Sequence, residues 1–204
     1  MSFDERARTW DDDPVKTKRA AAFAKTIIEQ VQPKPEMSAL EFGCGTGLLS
    51  YQLKDAFGTI VLVDSSEGMI EVLKEKIAKE QLSHFFPLKV DLMQTIPDIG
   101  PFDAIYTLMT MHHIDSIPDI LQVFHGLLKP GGKLCIGDLV KEDGSFHGSG
   151  FTGHNGFDKD QLSKLLKEKG MNPLHYDIFF ELERRRDDQF VKFPLFSLIA
   201  EKEG

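Results

Sequence analysis

Hydrophobic positions recur along the chain with two periods, and the period switches often. Behind Asp13-Pro14, an N-cap with proline in the first helical turn, Val15, Arg19, Phe23, Ile27 and Val31 follow at steps of four. That spacing predicts an amphipathic helix ending before Pro33. From Ala39 onward, strand-like runs (Ala39–Phe42, Ile60–Asp64, Phe85–Asp91, Ala104–Leu108, Lys133–Asp138) alternate with helical ones (Leu48–Ala56, Glu67–Leu82, Ile117–Leu128). Lys129-Pro130-Gly131-Gly132 stops the last of these helices. Such alternation predicts a mostly parallel sheet with helices on both faces.

The end of the chain reads differently. Asp158 with Gln161 resembles a capping box for a helix carrying Leu162, Leu165 and Leu166 and closed by Gly170. Two long strand-like runs follow, Leu174–Leu182 and Phe190–Ala200. Between them Arg184-Arg185-Arg186-Asp187-Asp188 reads as a solvated turn rather than an anion site. The hairpin should bring one antiparallel strand into the sheet. Pro87 places its strand at an edge, because proline cannot donate to a ladder on both sides, and Pro194 predicts a bulge.

Composition narrows the class. A length of 204 residues with 41% hydrophobic content suits one domain with one sizeable core. A net charge of -8 disfavours nucleic acid and anionic membranes as partners and favours a small-molecule substrate. No apolar run is long enough to span a bilayer. The polar, acidic start lacks the form of a secretory signal, and Cys44 and Cys135 suggest no disulfide framework, so a cytoplasmic location is expected.

Candidate chemistry starts at Glu41-Phe42-Gly43-Cys44-Gly45-Thr46-Gly47, where a strand runs into a glycine loop and then a helix. Glycines there allow positive φ and close backbone approach to a nucleotide-like ligand. The dinucleotide fingerprint needs a third glycine at the position of Leu48, and Glu41 would repel a pyrophosphate. Asp64 and Asp91 end the next two strands; with Glu41 they would line one edge of a parallel sheet. Three acids on that edge suit a cationic cofactor without phosphate. An NAD(P)-dependent oxidoreductase and a non-catalytic S-adenosylmethionine-binding protein are the competing readings.

In order, Leu40-Glu41-Phe42-Gly43-Cys44-Gly45-Thr46-Gly47, Val61-Leu62-Val63-Asp64, Val90-Asp91-Leu92, Phe102-Asp103-Ala104-Ile105, Met111-His112-His113-Ile114 and Leu128–Leu134 resemble the class I S-adenosylmethionine-dependent methyltransferases, in particular the type 11-like group. The resemblance covers Ser38 to Asp138 and weakly the terminal hairpin. It implies a Rossmann-like three-layer α/β sandwich with a seven-stranded sheet ordered 3-2-1-4-5-7-6, strand 7 antiparallel. The chain would divide into an N-terminal arm and helix (1–32), a cofactor-binding core (38–138), an acceptor-side loop (139–157) and a helix plus hairpin (158–204). By position, the loop residues Gly43, Cys44, Gly45 and Gly47 would hold the methionine part of S-adenosylmethionine, with Glu41 near its ammonium group. Asp64 would bind the ribose with Ser65 beside it, Met69 would pack on the adenine, Asp91 with Leu92 would take the adenine edge, and Thr107 would approach the sulfonium. The product would be S-adenosylhomocysteine.

Methyl transfer from a sulfonium is an in-line displacement that needs orientation, and a base only where the acceptor must lose a proton. His154, in the glycine-rich loop, and His112, after the fourth strand, are the candidate catalytic residues; His113 and His147 are nearby. Their spacing matches no standard metal site. Thr107-Leu108-Met109-Thr110 is not the Asn/Asp-Pro-Pro-aromatic tetrapeptide of many exocyclic-amine methyltransferases, which disfavours DNA as acceptor. Trp10, the only tryptophan, lies in the polar start, as a surface anchor or as part of an arm closing over the cofactor.

Overall fold

The computed structural model describes residues 2–186 and 189–204. Seven strands form one sheet: β1 (Ser38–Phe42), β2 (Thr59–Asp64), β3 (Phe85–Lys89), β4 (Phe102–Leu108), β5 (Leu128–Leu139), β6 (Met171–Arg186) and β7 (Gln189–Lys202). Their order is β3-β2-β1-β4-β5-β7-β6, with β7 antiparallel to both β5 and β6 and every other pairing parallel. This is the Rossmann-like order that the resemblance implied.

Both faces of the sheet are covered, which is why central strands such as β1 are buried almost throughout. On one face, Phe23 and Ile27 of α2 (Pro14–Val31), Leu49 of α3 (Leu48–Gln52) and Ile70 and Leu73 of α4 (Glu67–Glu80) pack against Ala39, Leu62, Ala104 and Tyr106. On the other, Ile120 and Phe124 of α5 (Ile117–Leu127) and Leu162 and Leu166 of α6 (Lys159–Glu168) cover Leu40, Ile105, Ile136 and Leu198. The Asp13 and Asp158 carboxylates cap α2 and α6 as expected. No helix of the described residues is long and apolar enough to cross a membrane.

Several boundaries move for local reasons. β3 stops at Lys89 because Asp91 turns the chain, its Oδ1 accepting from the Met93 amide at 2.9 Å. The helix after the glycine loop ends at Gln52, where Leu53 donates to the Ser50 carbonyl and tightens the last turn. Residues 129–132 do more than stop α5: they form an irregularity at the start of β5, between the Phe102–Leu128 and Ala104–Lys133 pairs. Pro87 does lie on the edge strand, paired only with β2. Pro194 carries no bulge, contrary to expectation; it pairs in register with Glu181. Its carbonyl accepts from Val140, so its missing donor faces the same side, just past the end of β5. The irregularities lie instead in β6, between Pro173 and His175 and between Ile178 and Phe180. Phe179 there packs on Phe23 of α2, with ring centroids 5.0 Å apart.

Arg184 and Arg185 belong to β6 and not to the expected turn, whose Asp187-Asp188 end lies outside the described residues. The polar start is also ordered. α1 (Phe3–Arg6), closed by a Ser2–Glu5 capping box, runs into a 3₁₀ turn over Ala7–Asp12. Asp4 accepts from the Ser66 hydroxyl and the Gly68 amide, and Asp11 from the Thr46 hydroxyl and the Lys76 ammonium. Only Ala7 of this arm is buried, so these polar clamps hold it. Replacing Asp4 and Asp11 together with alanine is therefore expected to speed proteolytic cleavage ahead of α2 several-fold. The melting temperature should change little; a large drop would show that the arm belongs to the core.

Candidate functional site

The C-terminal ends of β1, β2 and β4 open into a cavity of about 640 Å³, roofed by the N-terminal arm and α2. Its size is ordinary for a site that encloses a small molecule. The loop after β1 supplies one wall. Gly43, Gly45 and Gly47 all have positive φ (67°, 51° and 81°), a backbone path that residues with a side chain rarely follow. A Cβ at Gly43 would stand 2.2 Å from the Thr110 side chain, so the loop can pass β4 only as glycine. Gly43, Cys44 and Gly45 line the cavity. Gly47 does not: it is the N-cap of α3, and a Cβ there would meet Leu73 at 2.7 Å. Its glycine serves helix packing and lies off the cavity wall.

Glu41 and Asp64 fall at the expected strand ends, and Asp91 lies two residues past the end of β3. Glu41 is 3% exposed, and its carboxylate accepts from both the amide and the hydroxyl of Ser50. The same hydroxyl lies 2.8 Å from the Tyr106 phenol oxygen, so three buried polar groups satisfy one another beneath the loop. Burial pushes the Glu41 carboxyl up to about 8 despite the Ser50 bonds. Asp64 accepts from the Gly45 amide at 2.8 Å and the Ser66 amide at 2.9 Å, and burial raises its pKa as well. Asp64, Ser65, Met69 and Asp91 all line the cavity. The Met69 sulfur and the Trp10 indole nitrogen both lie 3.8 Å from the place a Gly45 Cβ would take, so Trp10 lies close over the loop.

Two expected ligands are elsewhere. Leu92 is 1% exposed within the core and does not line the cavity. Thr107 faces the same core as Ile105, two residues before it on β4, and its Oγ1 is sealed with no hydrogen-bond partner among the described residues. His154 is also outside the lining: its Nε2 bonds the Ile114 carbonyl at 2.9 Å and its amide donates to the His112 carbonyl. It ties the loop after β5 to the turn after β4.

His112 does line the cavity. It sits in a 3₁₀ turn, Met111–His113, with Nδ1 2.6 Å from Asp138 Oδ1, while its amide donates to Asp138 Oδ2 at 3.3 Å. Asp138, at the end of β5 and fully buried, thus fixes the ring and leaves Nε2 for a ligand. His113 and His147 join it, with ring centroids 4.2 and 4.9 Å from His112, and His147 stacks on Phe151 at 3.8 Å. Burial, aided by repulsion from His112, lowers both His113 and His147 to about 4, so both are neutral at physiological pH. Among the described residues no group of three or more His, Cys, Asp or Glu is placed to hold a metal ion.

Sequence reasoning missed four cations on the lining: Arg6, Lys16, Arg19 and Arg184. Arg19 had a visible signal, a charge on the otherwise apolar inward stripe of α2. Asp138 had another, an acid ending the strand beside the histidine pair. Arg184 had none, since its strand continued past the apolar run.

Residues 40–134 match the methyltransferase domain family. An uncharacterized methyltransferase of Schizosaccharomyces pombe is 31% identical over 163 residues, covering 72% of this chain and 57% of the relative. Phosphoethanolamine N-methyltransferase 1 of Zea mays is 29% identical over 84% of this chain and 36% of the relative. The chain therefore spans about half or less of the length of these two. Among solved structures, N-methyltransferase NodS from Bradyrhizobium japonicum shares the fold, with a TM-score of 0.69 at 16% identity over 95% of this chain and 99% of that one. In strand order and glycine loop the chain has the fold of the class I methyltransferases, and its central part matches their domain.

The buried Glu41 yields a test independent of any ligand. Folded, it keeps its proton up to about 8; unfolded, it loses it near 4.5. The folded state thus holds more protons in that interval, and Glu41 costs stability increasingly as pH rises through it. Glu41→Gln should gain on the wild type by several degrees in melting temperature between pH 6 and pH 8. The low pKa of His113 and His147 acts oppositely, removing stability as pH falls from 6.5 toward 4, but equally in both proteins. A difference independent of pH would show that Glu41 is already ionised in the fold.

Proposed function

We propose that this chain transfers a methyl group from S-adenosylmethionine to a small-molecule acceptor. The observation that carries this reading is the set of acids at the ends of three adjacent parallel strands, Glu41, Asp64 and Asp91, around a glycine loop. Such an edge attracts a cation and repels a pyrophosphate, which supports this cofactor over NAD(P). When bound, the cofactor would supply an electrophilic methyl on a sulfonium whose thioether leaves without acid help.

The chain's own residues then have distinct tasks. The Asp64 oxygens each hold one backbone amide and keep a lone pair for ribose hydroxyls. Cys44 and Gly45 offer backbone, Ser65 and Met69 border the nucleoside, and Asp91 stands at the adenine edge. Glu41, which burial keeps protonated up to about 8, would release its proton to solvent on facing an ammonium group. His112, aligned by Asp138, accepts a proton at Nε2 where the acceptor nucleophile carries one. Trp10 and the arm exclude water from the loop side. The negative net charge supports a small acceptor over nucleic acid, and two buried free cysteines suit a reducing, cytoplasmic setting.

Titrating with S-adenosylhomocysteine tests the cofactor assignment: at a hundredfold excess over Kd the protein should gain about 2.7 kcal/mol of stability. NADH should do nothing. Affinity should rise with pH up to about 8 and then level off, with a proton released on binding. Stabilisation by NADH alone would overturn the reading. His112→Gln should lower methyl transfer from labelled donor to a metabolite extract by about 10²- to 10⁴-fold, with the Kd for S-adenosylhomocysteine within twofold. Full activity in that variant would remove the base.

A further inference from the structure

The cavity has a second, cationic pole. α2 runs against the direction of β5: Lys133, early in the strand, donates to the Gln30 carbonyl, and a Cβ on Gly137 would stand 3.1 Å from the Phe23 ring. One turn earlier on α2, Arg19 therefore lies over the C-terminal end of β5 and lines the cavity. Its Nε is sealed from solvent with no hydrogen-bond partner among the described residues. Burial outweighs its acidic neighbours and pulls the guanidinium down to about 10. Those neighbours are Asp138 and Asp13, and both are engaged. Asp138 holds His112 and the Leu139 amide, and Asp13 caps α2.

Arg184 reaches the same region from β6. It donates to the Phe146 carbonyl at 2.8 Å and lies 3.7 Å over the Phe146 ring, and its charge acts on both Arg19 and His147. Two guanidinium groups thus border the wall formed by His112 and His147, away from Glu41, Asp64 and Asp91. A buried arginine left without a hydrogen-bonded counter-ion is costly, and a planar oxyanion bound through two parallel N–H bonds is its natural complement.

We infer that Arg19 and Arg184 form a subsite for an oxyanion, a carboxylate or a phosphate, carried by the methyl acceptor. The assignment rests on methyl transfer in the same cavity and adds the class of acceptor. The oxyanion docks at the β5–β6 side, which directs the rest of the acceptor past His112 toward the loop after β1.

The experiment uses the full chain, with and without saturating S-adenosylhomocysteine, titrated at constant ionic strength with sodium phosphate, sodium benzoate or sodium chloride. Phosphate or benzoate should stabilise the protein where chloride does not; the preferred one identifies the group. Arg19→Met and Arg184→Met should each weaken that binding at least tenfold, and Arg19→Lys less. Both methionine variants should hold S-adenosylhomocysteine within twofold. Arg19→Met should also raise the melting temperature of the ligand-free protein, whereas a purely structural arginine would lower it. No response to either oxyanion overturns the subsite. So does an Arg19→Met variant that no longer prefers S-adenosylhomocysteine to 5′-methylthioadenosine, since the arginine would then serve the cofactor's own carboxylate. Arginine-dependent oxyanion binding with no response to S-adenosylhomocysteine supports the oxyanion site and overturns the cofactor assignment instead.

Discussion

The site depends on a reversal in strand order between β1 and β4. From β1 the chain moves outward through β2 to β3, then crosses back to β4 on the other side. The segments leaving β1 and β4 consequently diverge, α3 to one face of the sheet and α5 to the other. A crevice opens between them at the carboxyl ends of the strands, where open parallel sheets take their ligands. Gly43 fits against Thr110 at this point, so the loop and the turn after β4 meet without closing the space above them.

The strand order also sorts charge. Moving outward through β1, β2 and β3 brings up Glu41, Asp64 and Asp91, while moving through β5 toward β6 brings Asp138 with its histidine and then the arginines. Burial keeps these poles from being neutralised by water and shifts the groups toward their uncharged forms: Glu41 up, His113 and His147 down, Arg19 down. At about 10 Arg19 keeps its charge at physiological pH, whereas Glu41 at about 8 holds its proton. An anion beside the arginine and a cation beside the glutamate would each complete a pair, so each ligand is favoured at its own pole.

The fold was legible in the chain because its signals are local and repeated. Val61-Leu62-Val63-Asp64 and Phe102–Leu108 are apolar runs only a strand buried on both faces would want, and the glycines mark the loop between strand and helix. The acids of the cofactor end were legible for the same reason, each lying at or just past the end of an apolar strand run. What escaped was set by tertiary geometry. Thr107 and Leu92 are at strand ends by sequence, but the pleat and the turn send their side chains into the core. His154 gave no sign that the Ile114 carbonyl, distant in sequence, would engage its ring. Pro194 was compatible with a regular strand because β5 ends just where its missing donor would be required.

The arm shows why access to such a cavity need not disturb its walls. Its contacts with the rest are mostly polar: Asp4 on the start of α4, Asp11 on Thr46 and Lys76, Arg8 on Glu75, and Lys16 of α2 over the Trp10 ring. α2, by contrast, buries Phe23, Ile27 and Val31 against the sheet and carries Arg19 with it. The boundary between the two is Asp13, where the cap of α2 ends the arm. Displacing the segment before Asp13 would expose the loop side of the cavity at the cost of a few solvent-competing hydrogen bonds, each worth about 1 kcal/mol. Displacing α2 would unpack the core. The structure therefore separates a wall packed into the core, bearing the arginine, from a roof held mainly by polar contacts, bearing the tryptophan.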